Sequence, residues 1–171
     1  MIRIIGPGVA SEMITELVAN QSDILSDLLL VNALSESERI GFDDLSDTVF
    51  DKTCVEDVVD CFSGIAEILP SIRDGSRIIF LIPSAFLGDM GCALQATYAA
   101  MLVGLARSLA LELARRRITV NCVAPTLDEN FHATKKTVAL LRSETCENIT
   151  GQVFLIDGGE NLALRKASVP T

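Results

Sequence analysis

Residues 92–114, "CALQATYAAMLVGLARSLALELA", form a helical stretch that is apolar almost all round until Glu112. A helix with no wide polar face has to be covered on several sides. Three arginines at 115–117 follow it, where cations suit the negative end of a helix. Then comes "ITVNCVAP", a short apolar run of the kind buried in a parallel sheet. A buried helix feeding a buried strand is the building unit of a layered α/β domain.

The rest of the chain repeats that alternation. "RIIGPG" reads as a short strand closed by a glycine turn, and "ASEMITELVAN" as a helix with Met13, Ile14, Leu17 and Val18 on one face. "DLLLVNAL" is a continuous apolar strand, and "SESERIGFDDLSD" a polar loop. "CVEDVVDCFSGIAEILPSI" is helical and stops at Pro70. "DGSRIIFLIPS" is a turn and a strand; "TGQVFLIDGG" is the last strand, preceded by a short helix around 137–142. Five strands alternating with helices predict a Rossmann-like parallel sheet flanked by helices, with right-handed crossovers. Residues 1–171 read as a single domain with no internal repeat or low-complexity segment.

The totals narrow the function. A mean hydropathy of +0.40 leaves little polar surface and predicts a large buried interface. A net charge of −9 disfavours nucleic acid and acidic lipid surfaces. Five cysteines, an odd number without C-x-x-C spacing, read as reduced buried thiols and point to a cytoplasmic chain. The single histidine, His132, sits in a polar stretch, so no histidine-based metal site is expected. "MIRIIGPG" has no apolar signal core, and the apolar run 98–106 is too short for a bilayer, so no membrane is expected either.

"GLARSLALELARRRITVNCVAP", "ITGQVFLIDGG", "DLLLVNAL" and "GSRIIFLIPSA" together resemble the short-chain dehydrogenase/reductase family, over about residues 27–162. The resemblance implies an NAD-dependent oxidoreductase fold. In it a serine orients the substrate oxygen, and a tyrosine works as acid/base with a lysine one helical turn later. A phenol needs such a cation to act at neutral pH. Ser84 falls at the serine place. Tyr98 falls at the tyrosine in one register, with Leu102 where the lysine belongs; in the ungapped register the two places hold Gln95 and Ala99. Neither register supplies a cation, and the nearest basic residue on the helix is Arg107. Cys61 stands near the family's asparagine, and Thr126 at its glycine after "VAP". The glycine turn offers only Gly6 and Gly8 around Pro7, which has no N–H to donate to phosphate, with Ser11 at the third glycine place. Of the acidic residues downstream, Asp23 and Asp27, the latter fits better as the start of a strand. One helix separates "RIIGPG" from the strand resembling the family's fourth, so about two strands that hold the adenosine half of a dinucleotide are missing.

The expected function is therefore that of a non-catalytic subunit. No catalytic residue is expected, Ser84 and Tyr98 being vestigial, and no cofactor in this chain, Gly6 and Gly8 forming a degenerate turn. The partner is a complete short-chain dehydrogenase that carries the NAD and oxidises a hydroxyacyl-type alcohol, in a heterotetramer of two plus two. The pattern is similar to two-subunit dehydrogenases of aromatic hydrocarbon degradation that pair an active relative with an inactive one. The family's subunit contacts run through its two long helices and last strand, the parts retained here. Two alternatives stay open: a free-standing reductase using Ser84 and Tyr98, and a homodimeric module binding a small ligand.

Overall fold

A computed structural model of the chain describes residues 2–6, 27–34, 39–126 and 131–159. The expected helix at 10–20, Gly8, and the tail after Gly159 lie outside the described residues. Five strands form one sheet: β1 (Ile2–Ile5), β2 (Leu28–Asn32), β3 (Arg77–Leu81), β4 (Thr119–Pro125) and β5 (Val153–Ile156). All neighbours are parallel, and the order across the sheet is the order in the chain. The parallel α/β architecture expected from the alternating pattern is borne out.

Every residue of β2, β3 and β4 is buried, which is why these segments read as largely apolar runs, with Asn32, Arg77, Thr119 and Asn121 the polar residues buried among them. Their side chains divide between two cores. Leu29, Val31, Ile78, Phe80, Val120 and Cys122 meet α1 (Asp57–Ile68) and α2 (Ala93–Glu112). Leu28, Leu30, Ile79, Leu81 and Val123 face the other way, toward Val138 and Leu141 of α3 (Phe131–Arg142). The domain is thus a three-layer sandwich.

That placement corrects one expectation. α1 and α2 share a face while α3 takes the other, yet the strand order never reverses. The β4–α3–β5 crossover therefore has the hand opposite to the two before it, and the crossovers are not all right-handed. The reason lies in cover. Ala106, Leu109 and Leu113 already close the first core beside β4, whereas the second would be bare without α3.

Helix bounds also differ. α3 begins six residues earlier than expected, because its first turns bury little, Thr134 and Val138 among polar neighbours, before Leu141 and Arg142 close it. A helical rod reaches back from α1 through a π-helical stretch (Asp51–Glu56) to a first α turn (Asp47–Phe50). Its start is set by Ser46, whose Oγ accepts from the Val49 N–H at 3.4 Å, with Asp47 in the first turn. The acidic run had hidden that cap inside a loop. α2 spans 20 residues, and an 18-residue stretch of it has a mean hydropathy of 1.3, long and apolar enough to cross a bilayer; half of that stretch is buried inside the domain.

Asp27 sits at the amino end of β2, as its strand-start reading requires. Its carboxylate accepts from Arg73 Nε at 2.7 Å and Nη2 at 2.8 Å, and its carbonyl accepts the Arg77 N–H. The Arg73 hydrogen bonds hold the Asp27 carboxyl below the usual carboxylate range. A depressed folded pKa contributes stability that is complete above the unfolded value, about 4, and fades as pH falls below it. Arg73 is largely exposed, so solvent screens the pair. Asp27→Asn is expected to cost about 1 kcal/mol at neutral pH, and urea melts of parent and variant should converge as the pH drops below about 4.

Candidate functional site

Ligands of open parallel sheets bind at the carboxyl edge, at the point where strand order reverses. In the described sheet the order runs from β1 to β5 without reversal, so it has no such switch point. β1 lies directly against β2, with Ile5 paired to Val31.

The edge is tightly self-bonded. Gly6 follows β1 with φ of +105°, and a Cβ built there would stand 2.5 Å from the carbonyl oxygen of Asn32. The turn is packed onto the end of β2. Ala33 N–H donates to Leu81 O at 2.9 Å, and Ile82 N–H to Val123 O at 3.0 Å. Thr126 uses its N–H, at 3.0 Å, and its hydroxyl, at 3.4 Å, on Ile156 O. Past β5 the Asp157 carboxylate accepts the Gly159 N–H at 2.9 Å, closing the "DGG" corner.

Two loops are pinned across this edge. Arg39, after β2, donates to the Asp89 carboxylate at 2.8 Å and to Met90 O at 3.2 Å, while Ile40 N–H donates to Gly91 O at 3.0 Å. An arginine and an aspartate fifty residues apart gave no sequence signal of this contact. It follows from the parallel register, which brings the loops after β2 and β3 side by side.

Ser84 is half-buried and opens a 3-10 turn (Ser84–Leu87) directly after Pro83. Tyr98 is one turn into α2 and only 2% exposed, packed in the core with Leu102 and Ala99, both fully buried. The nearest polar neighbour of its hydroxyl is the Cys61 thiol, at 3.9 Å. Among the described residues no hydrogen bond joins Ser84 to Tyr98. Burial, reinforced by Cys61, pushes the Tyr98 phenol further above its ordinary value. Burial likewise pushes the Cys61 thiol up to about 11 and the Cys122 thiol up to about 12. All five cysteines are free and buried. Gln95, the alternative occupant of the tyrosine place, is 7% exposed; Arg107 is on the outer side of the helix. His132 is exposed on α3. Among the described residues no three of His, Cys, Asp and Glu come close enough to hold a metal ion.

So placed, Tyr98 contributes packing. Removing its hydroxyl takes away one long contact to sulfur. Tyr98→Phe is expected to shift stability by less than about 1 kcal/mol, read from the urea midpoint. A larger loss would mean that the hydroxyl holds a partner stronger than Cys61.

Outside the edge, α1 and α2 enclose a groove of about 380 Å³ lined by Phe62, Ile65, Ala66, Leu105 and Leu109, with Ser108 and Glu112 at its rim.

Comparison with known proteins places these features. A family model described as short chain dehydrogenase matches residues 10–138. The chain is 32% identical over 111 residues to (2S)-[(R)-hydroxy(phenyl)methyl]succinyl-CoA dehydrogenase subunit BbsD of Thauera aromatica, covering 50% of this chain and 45% of that protein. It is 31% identical over 118 residues to the 3-oxoacyl-[acyl-carrier-protein] reductase FabG of Aggregatibacter actinomycetemcomitans, covering 54% of this chain and 49% of that one. The chain thus spans about half the length of the curated relatives it matches. A short-chain dehydrogenase/reductase from Serratia marcescens superposes with a TM-score of 0.65 at 27% identity, over 76% of this chain and 64% of the other. The angucycline C-6 ketoreductase LanV, solved with bound NADP, shares the fold, with a TM-score of 0.67 at 22% identity over 78% of this chain and 63% of the other.

Proposed function

We propose, from the premise that this chain belongs to the short-chain dehydrogenase family, that it is a non-catalytic subunit acting by assembly with a complete, catalytic member of that family. The carrying observation is a sheet whose described strand order runs from β1 to β5 and never reverses. The family's dinucleotide needs a wall for its adenosine half and free N–H groups at the first turn. Here the strands of that wall have no counterpart among the described residues. The described residues do not fit the cofactor. Tyr98, with Leu102 in place of a cation, would stay protonated and inert within the core.

The same reading accounts for what the chain keeps. α1 and α2 leave an apolar groove and exposed side chains on one face, the face the family uses between subunits. NAD would sit in the partner, and two copies of each chain would make the complex. The relative named as a subunit of a hydroxy(phenyl)methylsuccinyl-CoA dehydrogenase supports a hydroxyacyl thioester as the substrate class of the whole. Cytoplasmic placement belongs to this proposal too.

The test is co-expression with a complete member carrying an intact glycine turn and tyrosine–lysine pair, followed by native mass and NAD titration. A two-plus-two complex that binds about two NAD per four chains supports the reading. About four NAD per complex, or a lone chain that turns over an alcohol with NAD, would overturn it and return Ser84 and Tyr98 to the active site.

A further inference from the structure

We propose that the α1–α2 face selects a different chain with a basic flank, and works against pairing with a second copy of itself. This rests on the subunit reading above and adds the chemistry of the partner. Val55 in the π-helical stretch and Val59, Phe62 and Ala66 on α1 recur every three to four residues and are all exposed. They form one apolar stripe leading into the α1–α2 groove. Across the groove, Met101 on α2 is 42% exposed.

The outer face of α2 is made for close approach. Its exposed positions from Thr97 through Ala100, Met101 and Gly104 carry no charge. Gly104 has a helical backbone, and a Cβ added there would meet nothing within 4 Å. A glycine in an exposed helix interior costs about 1 kcal/mol relative to alanine. Nothing inside the described chain requires it. A helix laid across α2 would, since a missing side chain lets two backbones approach.

The flank decides which helix. One position round from the apolar stripe runs a second exposed row, Glu56, Asp60 and Glu67. The nearest cation, Lys52, is divided between Glu56 at 3.4 Å and Asp57 at 2.8 Å. In a two-fold contact over this face, α1 lies against either α1 or α2 of the second copy. The first arrangement sets two acidic rows together. The second offers three carboxylates one exposed cation of α2, Arg107. Both leave unpaired negative charge at the rim of a chain whose net charge is already −9. A partner with lysines or arginines beside its apolar face pairs the whole row.

The test uses a charge-reversed copy of the full chain, E56K/D60K/E67K, as a stand-in for the basic partner. Sedimentation compares each copy alone with their equimolar mixture, at about 0.05 M and about 0.5 M salt. The expected result is a mixed dimer at low salt, at least about tenfold tighter than either self-association, that weakens at high salt and is abolished by Phe62→Glu in both copies. A parent chain that self-associates at low salt as tightly as the mixture does, and loses this with Phe62→Glu, overturns the choice of partner while keeping the face as an assembly surface. No association in any combination overturns the inference. A two-plus-two complex with a complete family member that survives Phe62→Glu overturns the role given to this face and leaves the subunit reading standing.

Discussion

Leu102→Lys is expected to unfold the chain. The substitution would write the family's tyrosine–lysine spacing onto Tyr98, so on paper it restores catalytic machinery. In the structure Leu102 is fully buried, in the same core as Tyr98, Cys61 and Phe80. An ammonium there is stripped of water. The carboxylate whose charge reaches Tyr98 and Cys61 is Asp57, and it already pairs with Lys52 at 2.8 Å. A buried cation without a partner costs about 4 kcal/mol or more, comparable to the whole stability of a small domain. Loss of the far-UV helix signal and of a cooperative urea transition is the expected readout. Leu102→Met, which keeps volume and polarity, should cost less than about 1.5 kcal/mol and serves as the control for packing. A lysine variant that folds with parental stability, and whose phenol titrates at lower pH in the ultraviolet, would mean that this helix face opens to a cleft. Tyr98 would then regain its standing as an acid/base.

The contrast between Leu102 and Gly6 shows where sequence reasoning reaches and where it stops. The strands were legible because β2, β3 and β4 are buried on both faces and are mostly apolar, with polar residues few and mainly at their ends. α2 was legible for the same reason. The first turn of the rod before α1 was not, since Ser46 and Asp47 look like loop residues until the backbone shows them capping a helix. The hand of the last crossover was not legible either. It depends on which of two cores lacks cover, a property of the assembled sheet and of no single segment. At the site, the absence of a cation after Tyr98 could be read directly. The neighbour of Tyr98 could not: Cys61 is 37 residues away in the chain and 3.9 Å away in space. The Arg39–Asp89 contact is hidden in the same way, by parallel strands that align distant loops.

Gly6→Ala should be the second most damaging of these changes, at about 3 kcal/mol, and its size tests how tightly the end of β1 rests on β2. Two effects add. The φ of +105° is one that a residue with a Cβ rarely adopts, and that Cβ would stand 2.5 Å from the Asn32 carbonyl oxygen. Neither partner can yield easily, because Ile5 and Val31 are held in register next to them and Asn32 is itself buried. Gly88 separates the two effects: it has a φ of +89°, yet a Cβ there would meet nothing within 4 Å. Gly88→Ala thus carries the backbone cost alone, about 1 kcal/mol. The difference between the two urea midpoints, converted with a common m-value, isolates the clash with Asn32. In a dinucleotide-binding turn too the first glycine serves the tight bend and a later one the approach of phosphate, so this cost reads packing on β2 and not nucleotide binding. If Gly6→Ala costs no more than Gly88→Ala, Gly6 does not rest on β2.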